Sequence, residues 1–262
     1  MLILERPRTR QPQGFAEVAQ KYKPALAVCV TPYGPPYGGN PPARQPIAGT
    51  MAWQFLSTSA EYIDTGITPT GSECTVLVVA RQSTVASIQI VFSSRSAYNT
   101  DGIELVVGQA GSGTSQVRVD TSGTAQQTVT STIAGLDNNN FHAYLVSWRA
   151  GSGADYWVDG VLQATSSALN GTLSSSQPLY IANRGGTVYQ CGVALLACWN
   201  QKLSPGDAKE LSANPWQLFA PQQIIIPTAA AAASSLPTLS ASTYVPGSLT
   251  STGWRPRVTA QF

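Results

Sequence analysis

The chain has 262 residues, 43% of them apolar and only 11% charged, with a formal net charge of +2. That length holds one large all-β domain or two small ones. Ser, Thr, Gly, Gln and Asn take the place of the missing charges, a profile that suits short strands, tight turns and a surface largely covered by partners. Charge is unevenly placed. Residues 1–44 carry six basic groups against two acidic ones, residues 221–262 add Arg255 and Arg257 with no acid, and the middle holds seven basic against eleven acidic groups. Basic ends on an acidic body fit ends that lie on acidic neighbouring protein. Their modest density, broken repeatedly by proline, argues against nucleic acid as the target.

In chain order, residues 1–48 read as a proline-rich basic arm containing Arg6, Arg8 and Arg10. Nine prolines between Pro7 and Pro46 forbid regular helix and interrupt any sheet ladder. The stretch TPYGPPYGGNPPARQP (31–46) reads as polyproline and turn, which needs a surface supplied from elsewhere. MLILERPRTRQPQ has no apolar signal region, and residues 24–30 are too short to cross a membrane, so the expected compartment is cytosol-like.

Residues 49–220 read almost wholly as strand and turn. Strands are predicted over 102–108 and 116–120, and in the second Val117 and Val119 alternate with charged neighbours. The clearest hairpin is FHAYLVSWRAGSGADYWVDGVLQA (141–164). Phe141, Ala143, Leu145 and Ser147 face one way and His142, Tyr144, Val146 and Trp148 the other, so this strand belongs mid-sheet, covered on both sides. Asp159-Gly160 signals a type I′ turn. One short helix is predicted after Ser204, which caps it, with Pro205 in its first turn, Asp207 near its positive end, Ala208 and Leu211 as its apolar stripe, and Asn214-Pro215 as its stop. The four cysteines show no metal-type spacing and read as buried reduced thiols. Cys191 and Cys198, seven apart, are expected on opposite faces of one strand. Residues 221–262 form a second arm: an apolar patch at Ile224–Ile226, an Ala/Ser linker, and a tail containing Trp254, Arg255 and Arg257.

The 141–164 hairpin resembles the laminin-G/concanavalin A signature, in which an aromatic-rich strand turns into a Tyr-x-Val-Asp-Gly strand. As in that family, PLYIANRGG (178–186), the strand at 193–199 and the short helix follow. The resemblance covers roughly residues 50–220 and implies an all-β jelly-roll sandwich of two antiparallel sheets. A second resemblance lies in RPRTRQPQ (6–13), NPWQLFAP (214–221) and TGWRPRV (252–258), which look like segments around such sandwiches in virion proteins of tailed bacteriophages. It implies a head decoration (cement) protein, or a tail or fibre component, made in the bacterial cytoplasm.

The search for chemistry finds little. A glycoside hydrolase needs two carboxyl groups across a sugar. Glu61-Tyr62-Ile63-Asp64 begins such a pattern without a further acid in reach, and Glu104 has no acid partner on its strand, so these read as surface carboxylates. His142 is the single histidine and reads as a packed, hydrogen-bonded residue. Asp137-Asn138-Asn139-Asn140 carries oxygen ligands of the type calcium prefers, and an Asn-rich turn is the simpler reading. No catalytic residue, metal or cofactor is assigned. Tyr98, Asn99, Asp101, Arg184 and Tyr189 fall on loops or loop edges and are candidate carbohydrate contacts. The expectation is a non-enzymatic virion protein that decorates the capsid through its arms. Arg6, Arg8, Arg10, Trp254, Arg255 and Arg257 would anchor it on the major capsid protein or another virion protein, with a homo-oligomer, a trimer, as the expected assembly. The rival functions are a tail or fibre component binding host polysaccharide, and a carbohydrate-active enzyme.

Overall fold

The computed structural model describes residues 2–6, 11, 17–34, 37–47, 49–56, 58–82, 88–97, 100–109, 113–121, 127–136, 138–166, 171–219 and 222–226. Two antiparallel sheets face each other. The seven-stranded sheet runs, in spatial order, Gln127–Thr130, Thr114–Asp120, Gly102–Gln109, Gln89–Ser93, Tyr180–Ile181, Tyr62–Asp64 and Gly38–Asn40. The eight-stranded sheet runs Val161–Ser166, Gly153–Val158, Phe141–Arg149, Glu73–Arg81, Cys191–Trp199, Thr50–Phe55 and Arg44–Ile47, with Leu26–Val30 also paired to Cys191–Trp199. Hairpin pairings are joined by pairings between strands distant in sequence, as in a jelly roll.

Strand alternation decides what lies between the sheets. Cys74, Val76, Val78 and Ala80 point inward with Tyr144, Val146 and Trp148, against Ile103, Leu105, Val107, Val117 and Val119 of the facing sheet. Tyr156 and Ser115 share a hydrogen bond of 2.6 Å within this apolar layer, and burial pushes the Tyr156 phenol pKa up.

The odd positions Leu77, Val79, Ala143 and Leu145 face the opposite way into a second apolar layer, closed by Leu203, Ala208 and Leu211. The strand 141–149 is therefore covered on both sides, as its sequence requires. The helix spans Pro205–Ala213, and the Ser204 hydroxyl accepts from the Asp207 amide, the expected cap. Just upstream, Thr75 donates to the Gln201 carbonyl at 2.7 Å and accepts from the Leu203 amide at 3.1 Å, pinning the chain as it turns toward the helix. Asp159 and Gly160 both have positive φ, 48° and 81°, as the predicted type I′ turn demands. A Cβ on Gly160 would lie 2.6 Å from that of Ala213, so the turn also sits too close to the helix end for a side chain.

Two expectations change. The proline-rich stretch lies within the sandwich over much of its length. Leu26–Val30, Gly38–Asn40 and Arg44–Ile47 each pair with a body strand, and Tyr22 and Val30 are buried. Pro32, Pro41 and Pro42 sit between these short pairings, and Pro46 lies on the edge strand Arg44–Ile47 opposite Met51, where a missing amide donor is tolerated. Cys191 and Cys198 both point into the inter-sheet core, because a register shift between Val193 and Leu195 inverts the alternation. Cys198 thereby comes to 4.0 Å from Cys74, sulfur to sulfur, and burial raises the Cys29 thiol pKa to about 12.

By its contacts the chain divides into a body, Glu5–Ile224, and a smaller unit of Met1–Leu4 with 225–262. The terminal strands Leu2–Arg6 and Gln222–Ile226 pair with each other. The Ala/Ser linker and the anchoring candidates Arg8, Arg10, Trp254, Arg255 and Arg257 lie outside the described residues, as does the side chain of Arg6. The segment NPWQLFAP forms a 3-10 turn over Pro215–Leu218, with Leu218 and Phe219 buried in the body's second apolar layer.

Candidate functional site: the outer face of the seven-stranded sheet

The outer face of the seven-stranded sheet carries a polar cluster beside the apolar pair Ile90 and Val106. Glu104 stands opposite Ser93 on one neighbour and Arg118 on the other. Sequence reasoning placed it on the surface; it is 0% exposed. Its carboxylate accepts from Arg95 at 3.0 Å, Arg118 at 3.2 Å, Arg184 at 3.4 Å and the Ser93 hydroxyl at 3.5 Å. Arg95, also 0% exposed, pairs in addition with Asp120 and donates to the Thr100 carbonyl at 3.1 Å. Burial raises the Asp120 pKa, against the lowering effect of Arg95. A carboxylate so fully engaged is a structural anion: it is the counter-charge of the buried Arg118 and shares Arg95 with Asp120.

The arginines tie down two chain segments. Arg95 opens the 95–101 loop, and Arg184 sits in the small hairpin Asn183–Arg184/Thr187–Val188. This hairpin leaves the sheet through Ala182, a buried non-glycine residue at φ 60°, and is closed by the Tyr189 amide on the Ala182 carbonyl at 2.8 Å. Asn183 accepts from the Gly186 amide at 3.1 Å across its turn. The hairpin and the loop pack so tightly that a Cβ on Gly185 would fall 1.9 Å from the Ser96 carbonyl oxygen.

Beside this contact lies an open cavity of about 730 Å³. Tyr62 and Tyr180, outward on paired strands, make an edge-to-face contact at 5.6 Å. Thr58, Ser59, Ser96, Gln177, Asn183 and the backbone of Gly185-Gly186 supply hydroxyl, amide and peptide groups around them. Tyr180 donates to Gln177 at 3.3 Å, and its phenol pKa is raised first by burial and then by the nearby Asp64. Aromatic faces ringed by neutral donors and acceptors offer both a stacking platform and directional hydrogen bonds. Among the described residues the lining holds no carboxyl group.

Of the residues singled out from sequence, Arg184 stands between the lining residues Asn183 and Gly185 and engages Tyr189, its guanidinium lying 6.0 Å from the ring centre; neither side chain is part of the lining. Asp101 is half-buried near Asp120, and Tyr98 and Asn99 lie outside the described residues. Sequence reasoning missed Tyr62, Gln177, Tyr180 and Asn183. The available signal was alternation: Ile63 and Ile181 point inward, so Tyr62 and Tyr180 must point out. His142 is held by Asp159 at 2.6 Å and Asn138 at 3.1 Å, a packed residue on the rim of the other sheet. Asn138 of the Asn-rich turn is thus engaged by His142 and by the Asn140 amide at 2.9 Å, while Asp137 lies outside the described residues.

A second cavity, of about 450 Å³, lies among Pro32, Tyr37, Pro41, Pro42, Arg44 and Trp53. Arg44 donates there to the Pro32 carbonyl, and Tyr37 packs edge-on against Trp53.

Among solved structures, the chain is similar to the botulinum neurotoxin serotype G binding domain, with a TM-score of 0.52 at 10% identity over 73% of this chain and 47% of that one. It is also similar to the binding domain of botulinum neurotoxin serotype D, with a TM-score of 0.55 at 8% identity over 76% of this chain and 54% of that one. The CBM40 domain of the Ruminococcus gnavus IT-sialidase aligns with a TM-score of 0.44 at 14% identity, over 54% of this chain and 83% of that one. The chain spans about half the length of the two toxin domains, and these likenesses are of fold. No curated protein matches the sequence. Residues 56–209, more than half of the chain, match the profile of the laminin-G type within the concanavalin A-like lectins and glucanases. The chain belongs to the concanavalin A-like lectin/glucanase superfamily.

Proposed function

We propose that this chain is a non-hydrolytic carbohydrate-binding sandwich whose site is the cavity on the outer face of the seven-stranded sheet. The observation that carries the reading is the Tyr62–Tyr180 pair set among neutral amide and hydroxyl groups. Sugars bind such surfaces by stacking their C–H faces on aromatic rings and hydrogen-bonding their hydroxyls to fixed polar groups. Hydrolysis needs two carboxyls flanking the scissile bond. Here Glu61 and Asp64 stand behind the lining, engaged with the Ser59 hydroxyl and the Gly66 amide, each at 2.8 Å. A glycan array followed by titration calorimetry tests the reading: Tyr180→Ala weakens binding about ten-fold or more, and no reducing ends are released on long incubation. Undiminished binding by Tyr180→Ala removes the site, and released sugar makes the protein an enzyme.

A second reading concerns where the sandwich works. The terminal segments RPRTRQPQ and TGWRPRV favour a virion protein of a tailed bacteriophage, decorating the head as a homo-oligomer or belonging to the tail. NPWQLFAP contributes less to that argument, because Leu218 and Phe219 are occupied inside the body. Arg6, Arg8, Arg10, Trp254, Arg255 and Arg257 would then make the contact with capsid or tail protein. Deletion of 236–262 tests it: purified particles should lack the truncated chain while its sandwich remains folded. Normal incorporation refutes the anchoring role.

A further inference from the structure

The charges around the cavity select among sugars, and this inference rests on the carbohydrate reading above. The lining is neutral, but two carboxylates stand immediately behind it on the strand side. Glu61 accepts from the hydroxyl of the lining residue Ser59 at 2.8 Å. Asp64 is the direct strand partner of Tyr180 and raises the pKa of its phenol. Both side chains are partly exposed, and neither is paired to a cation among the described ion pairs. On the hairpin side the nearest positive group is Arg184, whose guanidinium is 3.4 Å from the buried Glu104 carboxylate and lies over Tyr189. It shares that carboxylate with Arg95 and Arg118, and Asp120 is the second acid of the network. A ligand in this cavity meets two carboxylates with no cation partner among the described ion pairs and one guanidinium held by a buried carboxylate.

We propose that the site takes neutral oligosaccharides and discriminates against acidic ones, uronic or sialic, with Glu61 and Asp64 as the specificity-determining residues. The effect is moderate, because both groups are reached by solvent and act partly through water. Two like charges at this range disfavour a sugar carboxylate by about five-fold at low ionic strength, and salt screens most of that. Hydrogen bonding to Ser59 and Gly66 keeps the carboxylates in place, and the amide variants Glu61→Gln and Asp64→Asn preserve an acceptor for both contacts.

The test uses the full chain and paired probes: cellotriose, laminaritriose and maltotriose, each with its counterpart oxidised to a uronic acid at one C6. Affinities are measured at 20 mM and at about 500 mM salt, a range that takes the screening length from above 20 Å to a few Å. The expected result is tighter binding of the neutral member by about five-fold at low salt, with the gap shrinking at high salt. In the Glu61→Gln/Asp64→Asn double variant the gap should close. Equal or tighter binding of the acidic member by the unaltered protein overturns the inference and leaves the carbohydrate reading standing. A gap that persists in the double variant overturns the assignment to these two residues. If no saccharide of the paired or array panels binds, the carbohydrate reading itself falls, and the selectivity with it.

Discussion

The two sheets share one apolar interior and treat their outer faces in opposite ways. Outside the eight-stranded sheet, Leu77, Val79, Ala143, Leu145, Trp157 and Leu195 form an apolar surface that the chain covers with its own helix and the segment around Tyr22. Outside the seven-stranded sheet, the equivalent surface is built from Ser93, Glu104, Arg118 and Asp120, covered by a loop and a small hairpin held through ion pairs. Apolar contact is non-directional and closes completely, so the first face is finished as structure. Charged contact fixes a few points and leaves space between them, and the cavity at Tyr62 and Tyr180 is that space. The difference seals one face with apolar contact and leaves, on the other, the cavity proposed above as the binding site.

Breaking each face in turn tests the contrast, and the largest effect belongs to the ion network. Glu104→Ala leaves Arg95 and Arg118 buried with one fewer counter-charge. It should cost about 3–5 kcal/mol in denaturant unfolding, and hydrogen exchange should rise first over 94–103 and 183–189. Leu211→Ala opens a void between helix and sheet and should cost about 3 kcal/mol. Unlike Glu104→Ala, it should leave glycan affinity within two-fold in the protein that remains folded. A smaller change sharpens the comparison from the other direction. Ala25 is exposed with φ 55°, a conformation that penalises its Cβ, so Ala25→Gly should stabilise the protein by about 0.5–1 kcal/mol, read as a higher Tm. Smallest is Lys21, which bridges Asp207 at 2.7 Å and Glu210 at 3.0 Å across the solvent-exposed rim of the helix. Lys21→Met should cost about 0.5 kcal/mol or less, and the loss should vanish in high salt.

The features legible in the sequence are those written in local pattern. The double-sided strand 141–149, the Asp159-Gly160 turn and the cap at Ser204 follow from alternation, left-handed turn chemistry and orphan amides, and each stands where expected. What stayed hidden depends on pairing between distant segments. Glu104 reads as a surface acid until Arg95, Arg118 and Arg184 converge on it from three other strands and loops. Tyr62 and Tyr180 meet only because their strands are neighbours in a sheet that no local rule specifies. The bulge at Val193–Leu195 shows the same limit in miniature, since one inserted residue reverses the side on which Cys198 lies. Prolines 32, 41 and 42 misled in the other direction. They forbid long strands, yet the three- to five-residue pairings between them are enough to fold residues 26–47 into the sandwich.

Binding is proposed to lie on the outer face of the seven-stranded sheet. Hydrogen–deuterium exchange of the full chain, with and without a saturating glycan identified on the array, tests it most directly. Added protection is expected in peptides covering 58–62, 94–97 and 177–186, with the helix 205–213 and the proline-lined cavity at 32–44 unchanged. Protection centred on the helix or on the proline-lined cavity, with the tyrosine pair unaffected, would contradict it.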